Sequence, residues 1–151
     1  MKLSNNTSYI EKRFGIEKAA VLMKKAGFTA MDYSLHHLCN DEAPLSGEQY
    51  RKEAEYIRKC AAAAGIGFNQ THAPFKFKDW DTNFEDVIFP KITRSLEITA
   101  ILGAEIAVVH PLHHFVFAGR EEEIFELNMN YYRRLIPYAR EYGVKIAIEN
   151  M

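Results

Sequence analysis

What the sequence lacks narrows its class before any motif is considered. Only two cysteines, Cys39 and Cys60, occur in 151 residues, and they stand 21 positions apart. No CxxC or Cys/His pair with metal-finger spacing is present, so a disulfide scaffold, a zinc finger and a thioredoxin-like redox site are all excluded. Both thiols read as inert residues of a reducing compartment. Long apolar runs are missing too: no stretch approaches the roughly 18 residues that a membrane-spanning helix needs. The opening MKLSNNTSYIEKRF has no apolar core of a secretory signal. These absences point to a cytoplasmic protein that neither enters nor crosses a membrane. A surplus of charge is absent as well, with 19 Lys and Arg against 20 Asp and Glu for a formal net of -1. Sequence-blind nucleic-acid binding draws on a basic excess that displaces counterions, so a nucleic-acid partner is not expected. After the first apolar stretch stands NNTSY, not the GxGxxG turn of a dinucleotide-binding domain.

What is present is a period. KKAGFTAMDYS, AAAGIGFNQTHAP, AILGAEIAVVHP and REYGVKIAIEN share one grammar: a helix-like stretch, a glycine, a short apolar run, then polar residues. The glycines are Gly27, Gly65, Gly103 and Gly143, in steps of 38, 38 and 40 residues. Glycine just past a helix end is favoured because it adopts positive φ without a Cβ clash. The polar residues closing the runs are Asp32, His72, His110 and Glu149, at steps of 40, 38 and 39. A period of this size marks a repeated supersecondary unit.

The unit is a helix followed by a strand. Tyr50, Ala54, Ile57, Ala61 and Ala64 recur three or four apart, as do Ile16, Ala20 and Met23, and Ile124, Leu127, Tyr131, Leu135 and Tyr138. Ser46 followed by Gln49 reads as a capping box for the second helix. Pro90 and Pro137 predict kinks or late helix starts, and the acids 121–123 suit the first turn of a helix. Strands are expected at about 2–5, 29–33, 67–72, 105–110 and 145–149. The continuous apolar runs IAVV and IAI fit parallel strands covered on both faces. The resulting β-α-β-α-β-α-β-α-β order allows an open doubly wound sheet or a (β/α)8 TIM barrel. A barrel is favoured because each strand from the second onward ends in a chemically capable residue, and a barrel gathers its strand ends around one centre. The fold class expected is therefore α/β, a partial TIM barrel of about five parallel strands alternating with four helices, as a single domain over 1–151.

Those strand ends make a candidate site. Imidazole and carboxylate are a ligand set for Zn²⁺ or Mn²⁺ and also move protons. The prolines in His110–Pro111 and His72–Ala73–Pro74 end their strands and leave the imidazoles at the rim. Asp32 serves either the site or the turn that follows it. His36, His37, His113 and His114 fall in loops and read as solvated or substrate-lining. Phe75, Phe77 and Trp80 form either a lid over a small-molecule pocket or a packed aromatic loop.

GFTAMDYSL, GFNQTHAPF, GAEIAVVHP and GVKIAIEN, in this order and at these intervals, make the whole chain resemble the N-terminal portion of the xylose isomerase-like barrels, the sugar phosphate isomerase/epimerase group. The resemblance implies that Glu149 is the first protein ligand of a divalent metal (Mn²⁺, Mg²⁺, Co²⁺ or Zn²⁺). It further implies that Glu149 exchanges a proton with the substrate carbon next to a carbonyl. His72, His110, Asp32 and Asn150 are then substrate-binding. In the related apurinic endonucleases the positions of His72, His110 and Glu149 ligate zinc. The family's other ligands, an aspartate, a histidine and a second glutamate, come from later strands that this chain lacks. A TIM barrel takes about 250 residues, so the chain is expected to be a fragment with an incomplete metal site and little activity alone. The alternative is a half-barrel that pairs with another chain. Open strand edges favour self-association in either case. The function implied is metal-dependent isomerisation or epimerisation of a sugar or small hydroxy-ketone through an enediolate. Two alternatives are a zinc-dependent phosphodiesterase and a non-catalytic binding module.

Overall fold

The computed structural model describes residues 2–75, 84–112 and 119–149. Five strands alternate with four long helices: β1 (Ser4–Asn6), α1 (Ser8–Lys25), β2 (Ala30–Ser34), α2 (Tyr50–Ala63), β3 (Gly67–His72), α3 (Phe89–Leu102), β4 (Ile106–Val109), α4 (Glu121–Tyr142) and β5 (Lys145–Ile148). All four pairings are parallel, and the spatial order is β1-β2-β3-β4-β5. That order decides between the two architectures left open by alternation alone. A doubly wound sheet reverses direction at a switch point, whereas here each strand is added beside its predecessor, as in a TIM barrel. The helices follow the same progression, α1 against α2, α2 against α3, and α3 against α4. Among the described residues β1 pairs only with β2 and β5 only with β4, so the sheet is an arc with two unpaired edges.

The repeat has a hydrogen-bond cause. At each of the four glycines the N–H of the following residue reaches back five positions: Phe28 to Met23 O, Ile66 to Ala61 O, Ala104 to Thr99 O and Val144 to Ala139 O, at 2.9–3.2 Å. The glycine N–H bonds three positions back in each case. This is the Schellman closure, which needs a left-handed residue at its corner; Gly103 (φ 77°) and Gly143 (φ 67°) supply it. The chain then turns directly into the next strand.

Some local expectations fail. Ser46 does not cap α2, which begins at Tyr50 without a side-chain cap. Ser46 lies in a short 3-10 turn started by Pro44, and its hydroxyl donates to the Asn40 carbonyl at 2.7 Å. Pro90 marks a late start, since α3 begins at Phe89 after a π-helical turn over Phe84–Ile88. Pro137 lies inside α4. Gly15 (φ 75°, ψ 162°) breaks α1 between Phe14 and Ile16, a break that the periodicity does not show.

Two clusters fill the space between sheet and helices. Met31, Tyr33 and Phe68 pack with Ile16, Ala20, Met23, Ile57 and Ala61 of α1 and α2. Ala107 and Val109 pack with Ile92, Leu96, Tyr131 and Leu135 of α3 and α4. These strand residues point at the helices, so the alternate residues face the inside of the arc. Among the described residues no helix is long and apolar enough to cross a membrane.

Candidate metal centre at the strand ends

The C-terminal ends of β3, β4 and β5 bring His72, His110 and Glu149 together, as the repeat predicts. His72 closes β3, while His110 and Glu149 follow β4 and β5 by one residue. Register carries the convergence, with Ser34 beside His72 and Val109 beside Ile148. The Glu149 Oε2 lies 3.1 Å from His72 Nε2 and 3.6 Å from His110 Nε2. One ligand atom from each of the three residues falls within 4.8 Å of the other two.

The environment is graded. The His110 side chain is buried, at 4% exposure, and the Phe75 ring packs against it at a tilt of 47° and a centroid distance of 4.1 Å. His72 is partly buried and Glu149 half-exposed. Asp32 accepts from His72 Nδ1 at 2.8 Å through Oδ1 and from Gln70 Nε2 at 3.1 Å through Oδ2. Hydrogen bonding to Asp32 holds the His72 pKa above its ordinary value, against the opposing effect of burial. The cluster forms one wall of a cleft of about 410 Å³, also bordered by Asn6, Ser8, Ser34, His36 and Phe75.

The donor set fits a divalent cation. Ligands held about 2.0–2.2 Å from a tetrahedral ion stand roughly 3.3–3.6 Å apart, close to the two separations made by Glu149 Oε2. Two imidazoles and a carboxylate suit Zn²⁺ or Mn²⁺. His72 also receives the carboxylate partner on its far nitrogen that metal-bound histidines usually have.

The other candidates that the sequence offers fall into three groups in the structure. His36 borders the cleft, whereas His37 turns toward Glu11, at 3.5 Å. Cys39 and Cys60 are not disulfide-bonded. Asn150, His113, His114, Phe77 and Trp80 lie outside the described residues. Gln70 is a residue that the sequence reading does not single out. Its position two before His72 puts it on the same strand face, and that spacing is the signal that could have found it.

A sequence profile of the xylose isomerase-like TIM barrel family matches residues 20–151. The chain belongs to that family. Comparison with curated protein sequences returned no match. Solved structures with the same fold include a D-tagatose 3-epimerase-like protein (23% identity, TM-score 0.71, covering 100% of this chain and 53% of that one). A D-psicose 3-epimerase crystallised in the presence of D-fructose is similar at 20% identity and TM-score 0.67, over 98% of this chain and 52% of its own. The IOLI protein with a bound zinc atom matches at 23% and 0.66, over 98% and 51%. The chain thus spans about half the length of each of these proteins.

Proposed function

We propose that this chain contributes the first half of the active site of a metal-dependent sugar isomerase or epimerase, with His72, His110 and Glu149 as ligands of one divalent cation. The observation that carries the reading is the approach of both imidazole Nε2 atoms to a single carboxylate oxygen of Glu149. Two roles are open to the histidines, substrate hydrogen bonding and ligation, and this convergence favours ligation. Membership of the family and the epimerases among its structural neighbours support the reaction class.

When bound, the cation would polarise a carbonyl oxygen and lower the cost of the negative charge that develops as the adjacent carbon loses its proton. Glu149 would take that proton or return one, its basicity set by position and partial burial. Buried His110, covered by Phe75, keeps water from one side of the cleft. Ser34, Asn6 and His36, which line the same cleft, offer hydrogen-bonding groups to a polyhydroxy substrate. Asn150 remains a candidate for the same task. Because the chain spans about half of each related structure, turnover is assigned to the complete barrel and little is expected of these 151 residues alone. The unpaired edges of β1 and β5 support self-association of the isolated chain, read by sedimentation across a concentration series.

The test is exchange of the proton next to the carbonyl of a ketohexose with deuterated solvent, catalysed by the protein carrying the complete barrel. Glu149→Gln should abolish exchange; a variant that still exchanges at the parental rate would sink the assignment. A second reading, phosphodiester hydrolysis, draws on the same three donors, which suit zinc. The near-zero net charge argues against it. Metal analysis separates the two: a multinuclear zinc content favours hydrolysis, a single exchangeable Mn²⁺ or Mg²⁺ the isomerase.

A further inference from the structure

We propose that Gln70 and Asp32 are positioning residues that fix neutral His72 with its proton on Nδ1, so that the Nε2 lone pair faces Glu149 and His110. The consequence for metal binding rests on the metal-centre reading above; the consequence for the ring does not. Three observations carry it.

The first is an irregularity in the sheet. Met31 pairs with Phe68, but the next pair is Asp32 with Gln70, so Asn69 is an extra residue in β3. Strict alternation would send Phe68, Gln70 and His72 to one face. Instead Phe68 packs on the helix side, its ring 5.6 Å from Tyr33, while Gln70 and His72 both reach Asp32 inside the arc. A bulge that re-aims side chains next to a site is a recurrent use of the device.

The second is the hydrogen-bond inventory of Asp32. An ionised carboxylate only accepts. Its Oδ1 is engaged by His72 Nδ1 at 2.8 Å and its Oδ2 by Gln70 Nε2 at 3.1 Å. Glu149 Oε2 faces the other nitrogen at 3.1 Å, so a neutral ring can donate to only one of the two carboxylates. The shorter contact to Asp32 and its deeper burial, 10% against 50% exposed, place the proton on Nδ1. The Gln70 amide turns its NH₂ toward Asp32. The Asp32 side chain is 10% exposed, so water competes weakly for either oxygen.

The third is direction. With Nδ1–H committed to Asp32, His72 Nε2 points to Glu149 Oε2 at 3.1 Å, and the His110 ring stands 5.8 Å away. Asp32 and Glu149 thus hold opposite nitrogens of one ring, which makes Asp32 a partner of the ring and not a fourth member of the cluster. Without the relay the ring is free to rotate or to place its proton on Nε2, where it would block a cation.

The experiment is long-range ¹H–¹⁵N NMR of histidine-labelled, metal-free protein at a pH where His72 is neutral, with a zinc titration of the same samples. The parent protein should show His72 as the Nδ1–H form, the less favoured one for a free imidazole in water. Finding Nε2–H in the parent overturns the proposal without any variant. In Asp32→Asn, Gln70 donates to the introduced carbonyl and turns the introduced NH₂ toward Nδ1. His72 should then switch to Nε2–H, and zinc affinity should fall about 10- to 100-fold. Adding Gln70→Leu frees the introduced amide to rotate and should restore part of the Nδ1–H population and of the affinity. Retention of Nδ1–H in Asp32→Asn, with far-UV circular dichroism unchanged, overturns the relay. Zinc that leaves the His72 and His110 signals of the parent unmoved rejects the metal-centre reading, while the tautomer still decides the relay.

Discussion

Asn128 tests whether the backbone that presents His110 is held from the helix layer. It lies on α4, 8% exposed, and its side chain works as a strand would. Oδ1 accepts from the Leu112 N–H at 2.6 Å, and Nδ2 donates to the Leu112 carbonyl at 3.1 Å and the Ile124 carbonyl at 2.9 Å. Leu112 follows His110 by two residues and is 3% exposed, so water is a poor substitute for the amide. Asn128→Leu keeps the approximate size and removes all three bonds. The Leu112 N–H and C=O are then buried without partners, at about 1–3 kcal/mol each. Burying a leucine side chain recovers part of this, which leaves a loss of about 2–4 kcal/mol. For a chain of this length that lowers Tm by roughly 5–15 °C. Urea unfolding followed by far-UV circular dichroism measures the loss directly. Asn128→Asp keeps the acceptor for Leu112 N–H but sets an oxygen against two carbonyls. It should be at least as destabilised at neutral pH and recover on acidification, when a protonated carboxyl can donate again. A loss under about 0.5 kcal/mol in Asn128→Leu, the range of unremarkable surface changes, would refute the idea that this amide fixes the segment after His110.

Leu135 is fully buried in the cluster beneath β4. Leu135→Ala should cost about 2–5 kcal/mol in urea unfolding, depending on how far the cavity collapses. Zinc at 100 times its dissociation constant should stabilise the parent by about 2.7 kcal/mol. Excess EDTA should remove that increment, and Glu149→Gln should show little of it in the same thermal melts. The contact with Glu11 raises the His37 pKa above its ordinary value of about 6.5, so its contribution to stability is full below that value and disappears as pH rises through the raised one. A His37→Gln variant should therefore differ from the parent at pH 5 and converge with it at alkaline pH; a gap that does not change with pH would rule out this coupling. Tyr33→Phe removes the hydroxyl that donates to Glu11 at 2.7 Å from a fully buried ring. It should cost about 1.5–3 kcal/mol, the range for a hydrogen bond to a charged group.

The scaffold is legible in the sequence because the scaffold is local. A Schellman closure needs one glycine and a helix before it, and a parallel strand needs an apolar run; both are written within a dozen residues. Gly27, Gly65, Gly103 and Gly143 therefore mark four helix ends, and the strands lie within a residue or two of the stretches expected. Closer packing decides what the pattern leaves open. Ser46 and Gln49 satisfy a capping box on paper, yet Pro44 starts a tighter turn and the Ser46 hydroxyl goes to Asn40. Gly15 looks like an ordinary helix position, although its positive φ breaks α1.

His72 shows how far a strand-end residue can be interpreted from one chain segment. Its position in GFNQTHAP marks it as a strand-end residue, but the face it occupies depends on Asn69, which is extra only relative to β2. A period-two pattern anchored on Phe68 would send His72 into the helix layer with Phe68, because 68, 70 and 72 share parity. The register shift between Met31 and Asp32 resets that parity, and the reset lets the Phe68 ring join the core while Gln70 and His72 turn to Asp32. Such a defect lies in the pairing of two strands separated by a helix, so neither segment alone contains it. The same reasoning explains why the sequence leaves Asp32 open between two uses. Its chemistry is visible in AMDYS, but its partners 38 and 40 residues away depend on a bulge in the neighbouring strand. Deleting Asn69 should therefore be more damaging than substituting it: the deletion exchanges the faces of either Phe68 or the Gln70–His72 pair, and Asn69→Ser leaves both in place. Loss of zinc binding in the deletion with retention in Asn69→Ser is the expected result, and equal behaviour of the two would show that the bulge is not what aims His72.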